Sequence, residues 1–142
     1  MPSATHVSCD TSVLVPALLE WHPLHPRARE VVRDRVTSLP AQVYAEAFST
    51  LTRLRDPRRP TPAQARDALR GLRRRVLALP AGALLELVDS LADARLGGGA
   101  TYDAIVAATA KHHHTTLLSA DQRAQSTYHA VGVRYELLDL VS

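Results

Sequence analysis

Cysteine is almost missing from this sequence. Cys9 stands alone, so no intramolecular disulfide can form and no zinc site can be built on thiolates. A reducing compartment is the default for such a chain, and the cytoplasm is the expected location. Aromatic side chains are scarce as well, at 4% of residues. The core therefore has to be made of Leu, Val and Ala, and little aromatic surface is left for stacking bases. Long apolar runs are absent. None approaches the roughly 18 residues of a membrane-spanning helix, and the polar stretch Met1–Asp10 does not read as a signal peptide.

What is present is ordinary for a globular protein: 142 residues, 46% of them hydrophobic and 22% charged. One domain over 1–142 is expected. A chain of this size buries about two-thirds of its unfolded surface and needs no disulfide or structural metal. The formal net charge is +3, but it is unevenly spread. Arg53, Arg55, Arg58, Arg59, Arg66, Arg70, Arg73, Arg74 and Arg75 face only Asp56 and Asp67 in that segment. Such a cluster is the electrostatic footprint of a phosphate-rich partner, and it is equally what a solvated helical face looks like.

Periodicity and punctuation divide the chain into alternating elements. A strand at His6–Cys9 turns at Asp10-Thr11-Ser12 into a helix, Val13–Leu19. Pro23 and Pro26 break the chain before a helix at Arg27–Val36. A very short strand fits Thr37–Pro40. A helix follows at Ala41–Arg55, with Val43, Ala47, Leu51 and Leu54 at helical spacing. Thr61-Pro62 is an N-cap followed by proline at the first helical position, opening a helix to Arg74. Arg75–Leu79 is a candidate strand and Ala83–Arg95 a helix. After the Gly97–Gly99 loop come a helix (Thr101–His113), a strand (Thr115–Leu118), a short helix (Asp121–Tyr128) and a strand within Val131–Leu138. This order predicts an α/β fold with a mainly parallel sheet covered on both faces.

Asp10 and Asp121 occupy equivalent places. Each follows an apolar strand and begins a turn into a helix, where the crevice of an open parallel sheet lies. Capping alone accounts for either one. Asp103 stands in the first turn of a helix whose next residues, Ala104–Ala110, are apolar on nearly every side. That helix is buried, so Asp103 lies near the core; a favourable contact with the helix dipole is the simpler account of it. Glu46 stands beside the Val43/Ala47/Leu51 stripe rather than on it, and periodicity alone does not single it out. Taken together, several carboxylates in one crevice repel one another unless a cation joins them. Oxygen-only ligands favour Mg²⁺ or Mn²⁺ over zinc. Such an ion can activate water and stabilise charge on a phosphate oxygen.

Four segments carry a family resemblance. They are Cys9–Leu14 (CDTSVL), Tyr44–Leu54 (YAEAFSTLTRL), Gly97–Ala108 (GGGATYDAIVAA) and Leu117–Asp121 (LLSAD). In this order and at these separations the chain resembles the PIN-domain ribonucleases, and among them the VapC toxins of bacterial toxin–antitoxin pairs. The resemblance covers about Val7 to Leu138. It implies a three-layer α/β/α sandwich with about five strands. It implies that Asp10, Glu46, Asp103 and Asp121 form an acidic site for Mg²⁺ or Mn²⁺. Asp10 and Asp103 would be the principal ligands, with Asp121 completing the site or acting through water. Glu46 would hold a water of the ion or a second ion, and Ser12 and Ser119 would supply hydroxyls near the metal or phosphate. It further implies hydrolysis of RNA to a 5′-phosphate and a 3′-hydroxyl, a homodimer, and silencing by an antitoxin. Ser119 stands where Thr is more usual in the family. Lys111–His114 ends a helix that a Gly often closes.

Other features point elsewhere or nowhere. His112–His114 cannot all ligate one ion, because consecutive helical side chains diverge by about 100°; a helix C-terminus favouring positive charge accounts for them better. Gly97–Gly99 lacks a Walker lysine and does not follow a strand, so a hinge loop is the better reading. Trp21 and Tyr44 fit a partner surface or the core equally. A phosphatase of the haloacid-dehalogenase type needs a second Asp two residues after Asp10, and Ser12 is there instead. The main rival is a non-catalytic RNA-binding or regulatory module on the same fold.

Overall fold

The computed structural model describes residues 6–141. All three positions of β1 (Val7–Cys9) are buried. Successive strand side chains point to opposite faces, so both faces of the sheet are covered. β1 pairs in parallel with β4 (Thr116–Ser119), Ser8 opposite Leu117. β4 pairs in parallel with β5 (Tyr135–Leu137), and β2 (Ser38–Pro40) with β3 (Arg75–Leu77). The five expected strands therefore form a three-stranded and a two-stranded piece. The pieces meet at Val7 and Thr37. Thr37 N–H donates to the Val7 carbonyl at 2.8 Å, and Val7 N–H donates to Thr37 Oγ1 at 3.2 Å. A side-chain hydroxyl thus stands in for a backbone acceptor where the ladder breaks.

Seven α-helices surround the strands among the described residues: α1 (Thr11–Leu18), α2 (His25–Asp34), α3 (Ala41–Thr52), α4 (Pro62–Gly71), α5 (Ala81–Asp93), α6 (Ala100–His112) and α7 (Gln125–Val131). The expected order of elements holds, and the boundaries shift for local reasons. Pro26, which reads as a break, sits in the first turn of α2, where its missing N–H leaves no bond unmade. Thr61 and Gln64 close a full capping box on α4. The expected helix at Asp121–Tyr128 is a 3₁₀ turn (Gln122–Ala124) leading into α7. α7 runs through Val131 and is closed by Gly132 at φ 83°, and β5 follows inside the expected Val131–Leu138 stretch. Beyond α6 the chain takes its left-handed turn at His114 (φ 56°) instead of at a glycine.

The core is aliphatic, as the composition requires: Leu14, Leu39, Val43, Leu51, Leu69, Leu117 and Leu118 are almost fully buried. Tyr128 is the exception, the largest side chain that is completely enclosed. Cys9 is a buried core residue, and burial pushes its thiol well above the usual range. It is therefore a poor nucleophile. No helix among the described residues is long and apolar enough to cross a membrane.

Candidate functional site

Asp10 lies one residue beyond β1, its N–H bonded to the Leu118 carbonyl of β4 at 3.0 Å. Asp121 lies two residues beyond β4. The parallel pairing of β1 with β4 therefore brings both residues to the carboxyl end of the sheet. Both also act as caps. Asp10 Oδ1 accepts the Ser12 N–H at 3.0 Å, and Asp121 Oδ1 accepts the Arg123 N–H at 3.0 Å. Capping and a functional role are compatible, because a cap needs only one of the two carboxylate oxygens.

Two serines tie the strand ends together. The Ser12 hydroxyl donates to Asp10 Oδ1 and accepts the Ala120 N–H at 2.8 Å. Ser119 Oγ accepts the Asp121 N–H at 3.1 Å and lies 3.5 Å from Ser12 Oγ. The β1–α1 turn is thereby fastened to the turn after β4. The family resemblance implied both hydroxyls near the metal or the phosphate; their use in joining the two turns is a product of strand pairing.

Asp10 is buried, and burial raises its carboxyl above the usual range; bonds from Ser119, Ser12 and Tyr128 pull it back down. Asp103, in the first turn of α6, is half-buried. Burial raises its carboxyl most, followed by the negative charges of Glu46, Asp121 and Asp10, while Arg123 opposes them. Glu46, Asp121 and Asp10 thus all act on Asp103, and Glu46 is the strongest of these charges. Glu46 is half-buried on α3 and accepts a hydrogen bond from Gln42 at 2.8 Å. The α3–α6 packing brings it to the site, which no periodicity along α3 could reveal.

Tyr128 is the site neighbour that sequence reasoning missed. Its hydroxyl donates to Asp10 Oδ2 at 2.7 Å across a separation of 118 residues. Burial and the Asp10 charge push the phenol upward, so it stays a donor. Nothing in the run Gln125–Val131 marks this residue as anything but core.

Among the described residues no three His, Cys, Asp or Glu side chains converge tightly enough to cage an ion. The donors are all oxygen and three negative charges press on Asp103, which suits a hard cation. Mg²⁺ characteristically keeps several waters and takes only one or two carboxylates. The arrangement fits such an ion and does not fit a site supplied wholly by protein. The histidine triplet makes no metal cluster among the described residues. His113 Nε2 instead lies 2.8 Å from the Ala78 carbonyl. A cavity of about 580 Å³, lined by α5, α6 and the end of α7, contains none of the four acids.

Trp21 is half-buried against the core, and the Arg58 guanidinium lies 4.1 Å from its ring centre. Arg58 is also paired with Asp56 at 3.0 Å. Arg74 is spent on backbone carbonyls. Among the described residues Arg53, Arg55, Arg70, Arg73 and Arg75 are exposed and make no ion pair.

Residues 7–130 match the family model described as PIN domain. The chain belongs to the PIN-domain family. It is 39% identical over 133 residues to Ribonuclease VapC40 of Mycobacterium tuberculosis (strain CDC 1551 / Oshkosh), a match covering 93% of this chain and 98% of the relative. Ribonuclease VapC27 of Mycobacterium tuberculosis (strain ATCC 25618 / H37Rv) is 35% identical over 127 residues, covering 89% and 93%. These relatives place the chain with the VapC-type PIN proteins. In three dimensions it resembles the crystal structure of VapBC2 from Rickettsia felis bound to a DNA fragment from their promoter. The TM-score is 0.67 with 16% identity, covering 95% of this chain and all of that one. That likeness speaks for the PIN fold alone.

Proposed function

We propose that this PIN domain, one unit over residues 1–142, is a divalent-metal-dependent endoribonuclease and the toxin of a toxin–antitoxin pair. The observation that carries the reading is the meeting of Asp10 and Asp121 at the carboxyl ends of the paired strands β1 and β4, with Asp103 near enough that their charges and that of Glu46 raise its carboxyl. A chain has little reason to gather four acids unless a cation joins them. Mg²⁺ or Mn²⁺ bound there would activate water and stabilise charge building on the phosphate. Asp10 and Asp103 would be the principal ligands, Asp121 would complete the site or act through water, and Glu46 would hold a water or a second ion. Ser12 and Ser119 would supply hydroxyls near the metal or the phosphate. The partners are RNA, a second copy of the chain and an antitoxin, in the cytoplasm. Named ribonuclease relatives support the substrate class, and the VapBC2 assembly supports the antitoxin.

The test is direct. Purified chain should cleave single-stranded RNA in Mg²⁺ or Mn²⁺, leave 5′-phosphate ends and stop on addition of EDTA. RNA bound without any product would favour the rival reading of a non-catalytic module.

The exposed arginines supply the electrostatic half of this function. RNA affinity, measured in EDTA so that no cleavage occurs, should fall linearly with salt on logarithmic axes. Arg70→Ala and Arg73→Ala should each lower the steepness of that line by about 0.7, the value for one contact to a single-stranded phosphate. Unchanged slopes would assign these arginines to a solvated face.

A further inference from the structure

We infer that Tyr128 is a positioning residue for the metal site, fixing the plane in which the Asp10 carboxylate meets the cation. This rests on the metal-site reading above and extends it to a residue outside the four acids.

The argument starts from what each Asp10 oxygen already accepts. Oδ1 takes the Ser12 N–H at 3.0 Å and the Ser12 hydroxyl. Oδ2 takes the Tyr128 hydroxyl at 2.7 Å. An ionised carboxylate has about four acceptor sites. Ser12 and Tyr128 fill three of them, two on Oδ1 and one on Oδ2, and the Ser119 hydroxyl bears on the carboxylate as well. Ser12 alone would grip a single oxygen and leave the carboxylate able to rotate about its Cβ–Cγ bond. Donors on both oxygens fix its plane. Mg²⁺ demands near-ideal octahedral geometry, so a fixed plane matters more here than for a looser cation.

Tyr128 is itself held. Its ring is enclosed at 1% exposure and packs edge-on against Tyr135 at a centroid distance of 5.8 Å. Tyr135 in turn reaches Gln125 at 3.5 Å. The hydroxyl is thus delivered by α7 and β5, two elements that contribute none of the four acids. A tyrosine serving only as core would need some partner for its hydroxyl. Here the partner is the proposed principal ligand.

The experiment compares wild type, Tyr128→Phe and, as a control on the adjacent ring, Tyr135→Phe. Mn²⁺ binding is measured by titration calorimetry without RNA, and cleavage is followed over a Mn²⁺ series. Loss of a group that hydrogen-bonds a metal ligand typically costs 10–100-fold in affinity. Tyr128→Phe should bind Mn²⁺ about 10-fold more weakly, with the half-saturating Mn²⁺ concentration for cleavage raised by the same factor. At saturating Mn²⁺ its kcat should return toward wild type, and its KM for RNA should be unchanged. Tyr135→Phe should bind Mn²⁺ as wild type does. Equal Mn²⁺ affinity in wild type and folded Tyr128→Phe overturns the inference and leaves the metal site standing. A wild-type chain that binds no Mn²⁺ overturns the metal site and this inference with it.

Should Tyr128→Phe not fold, the wild-type chain carrying 3-fluorotyrosine decides the matter. The Tyr128 fluorine resonance is assigned by elimination, using Phe substitutions at Tyr44, Tyr102 and Tyr135. A shift of that resonance on Mg²⁺ titration supports the role, and a resonance that does not respond refutes it.

Discussion

Asp103→Asn is expected to lower RNA cleavage by more than about 100-fold, the upper end of what losing a mere partner of a metal ligand costs. In EDTA at pH 7 the same variant should melt about 4 °C above wild type. The two effects share one cause. Burial and the charges of Glu46, Asp121 and Asp10 hold the folded-state carboxyl above its ordinary range. The ionised form is therefore disfavoured in the folded chain, and that penalty is complete above the raised folded value. It disappears as pH falls through that value toward the unfolded one. Metal-free wild type should accordingly gain stability relative to Asp103→Asn as the medium is acidified from pH 7. Because Asp103 is only half-buried, solvent screening limits the effect to about 1 kcal/mol. Added Mg²⁺ should reverse the order of melting. Ligand at a hundredfold excess over its Kd stabilises the folded state by about 2.7 kcal/mol, and the variant forfeits most of this. Calorimetric scans with EDTA and with Mg²⁺ make the check. Identical melting in EDTA would show that the carboxylates do not press on one another, and full cleavage would remove Asp103 from the site.

How far such a site can be read in advance depends on whether its signals are local. Asp10, Asp103 and Asp121 each stand at the end of an element, and strand-to-helix turns advertise themselves within a few residues. Glu46 has no such signal. Its bearing on Asp103 depends on how α3 packs against α6, and only the likeness to other PIN proteins brought it forward. Tyr128 had neither signal nor likeness, because its bond to Asp10 spans 118 residues. The same division governs the fold. Alternating apolar segments and turn residues predicted the order of strands and helices, whereas boundaries followed details such as Pro26 in a first helical turn and Gly132 at φ 83°. The division of the sheet at Thr37 also escaped, since the substitution of a hydroxyl for a backbone acceptor leaves no periodic trace.

Arg74 is where reading by composition misleads most, and there the second large effect is expected. Counted by sequence it belongs to the basic run from Arg53 to Arg75. In the fold its Nε donates to the Val36 carbonyl at 2.7 Å, Nη2 to the Val32 carbonyl at 3.1 Å and Nη1 to the Leu72 carbonyl. The preceding residue, Arg73, has φ 52°, and the chain turns there from α4 toward β3. One guanidinium thus joins the last turn of α2, the approach to β2 and the cap of α4. Hydrogen bonds to a charged group contribute about 1.5–3 kcal/mol each, and three on one side chain do not add independently. Arg74→Ala should cost about 3 kcal/mol, a large share of the 5–15 kcal/mol expected of a whole domain. In urea, with a slope of about 2 kcal/mol per molar, the midpoint should fall by about 1.5 M. Arg74→Lys should recover little, since an ammonium cannot present the planar fork that reaches three carbonyls. Arg70→Ala, on an exposed side chain without an ion pair, should leave the midpoint nearly where it was. The two neighbours would then divide cleanly, Arg74 acting on folding and Arg70 on the salt dependence of RNA binding. An Arg74→Ala chain that unfolds at the wild-type midpoint but binds RNA with a shallower salt slope would return this residue to the basic face.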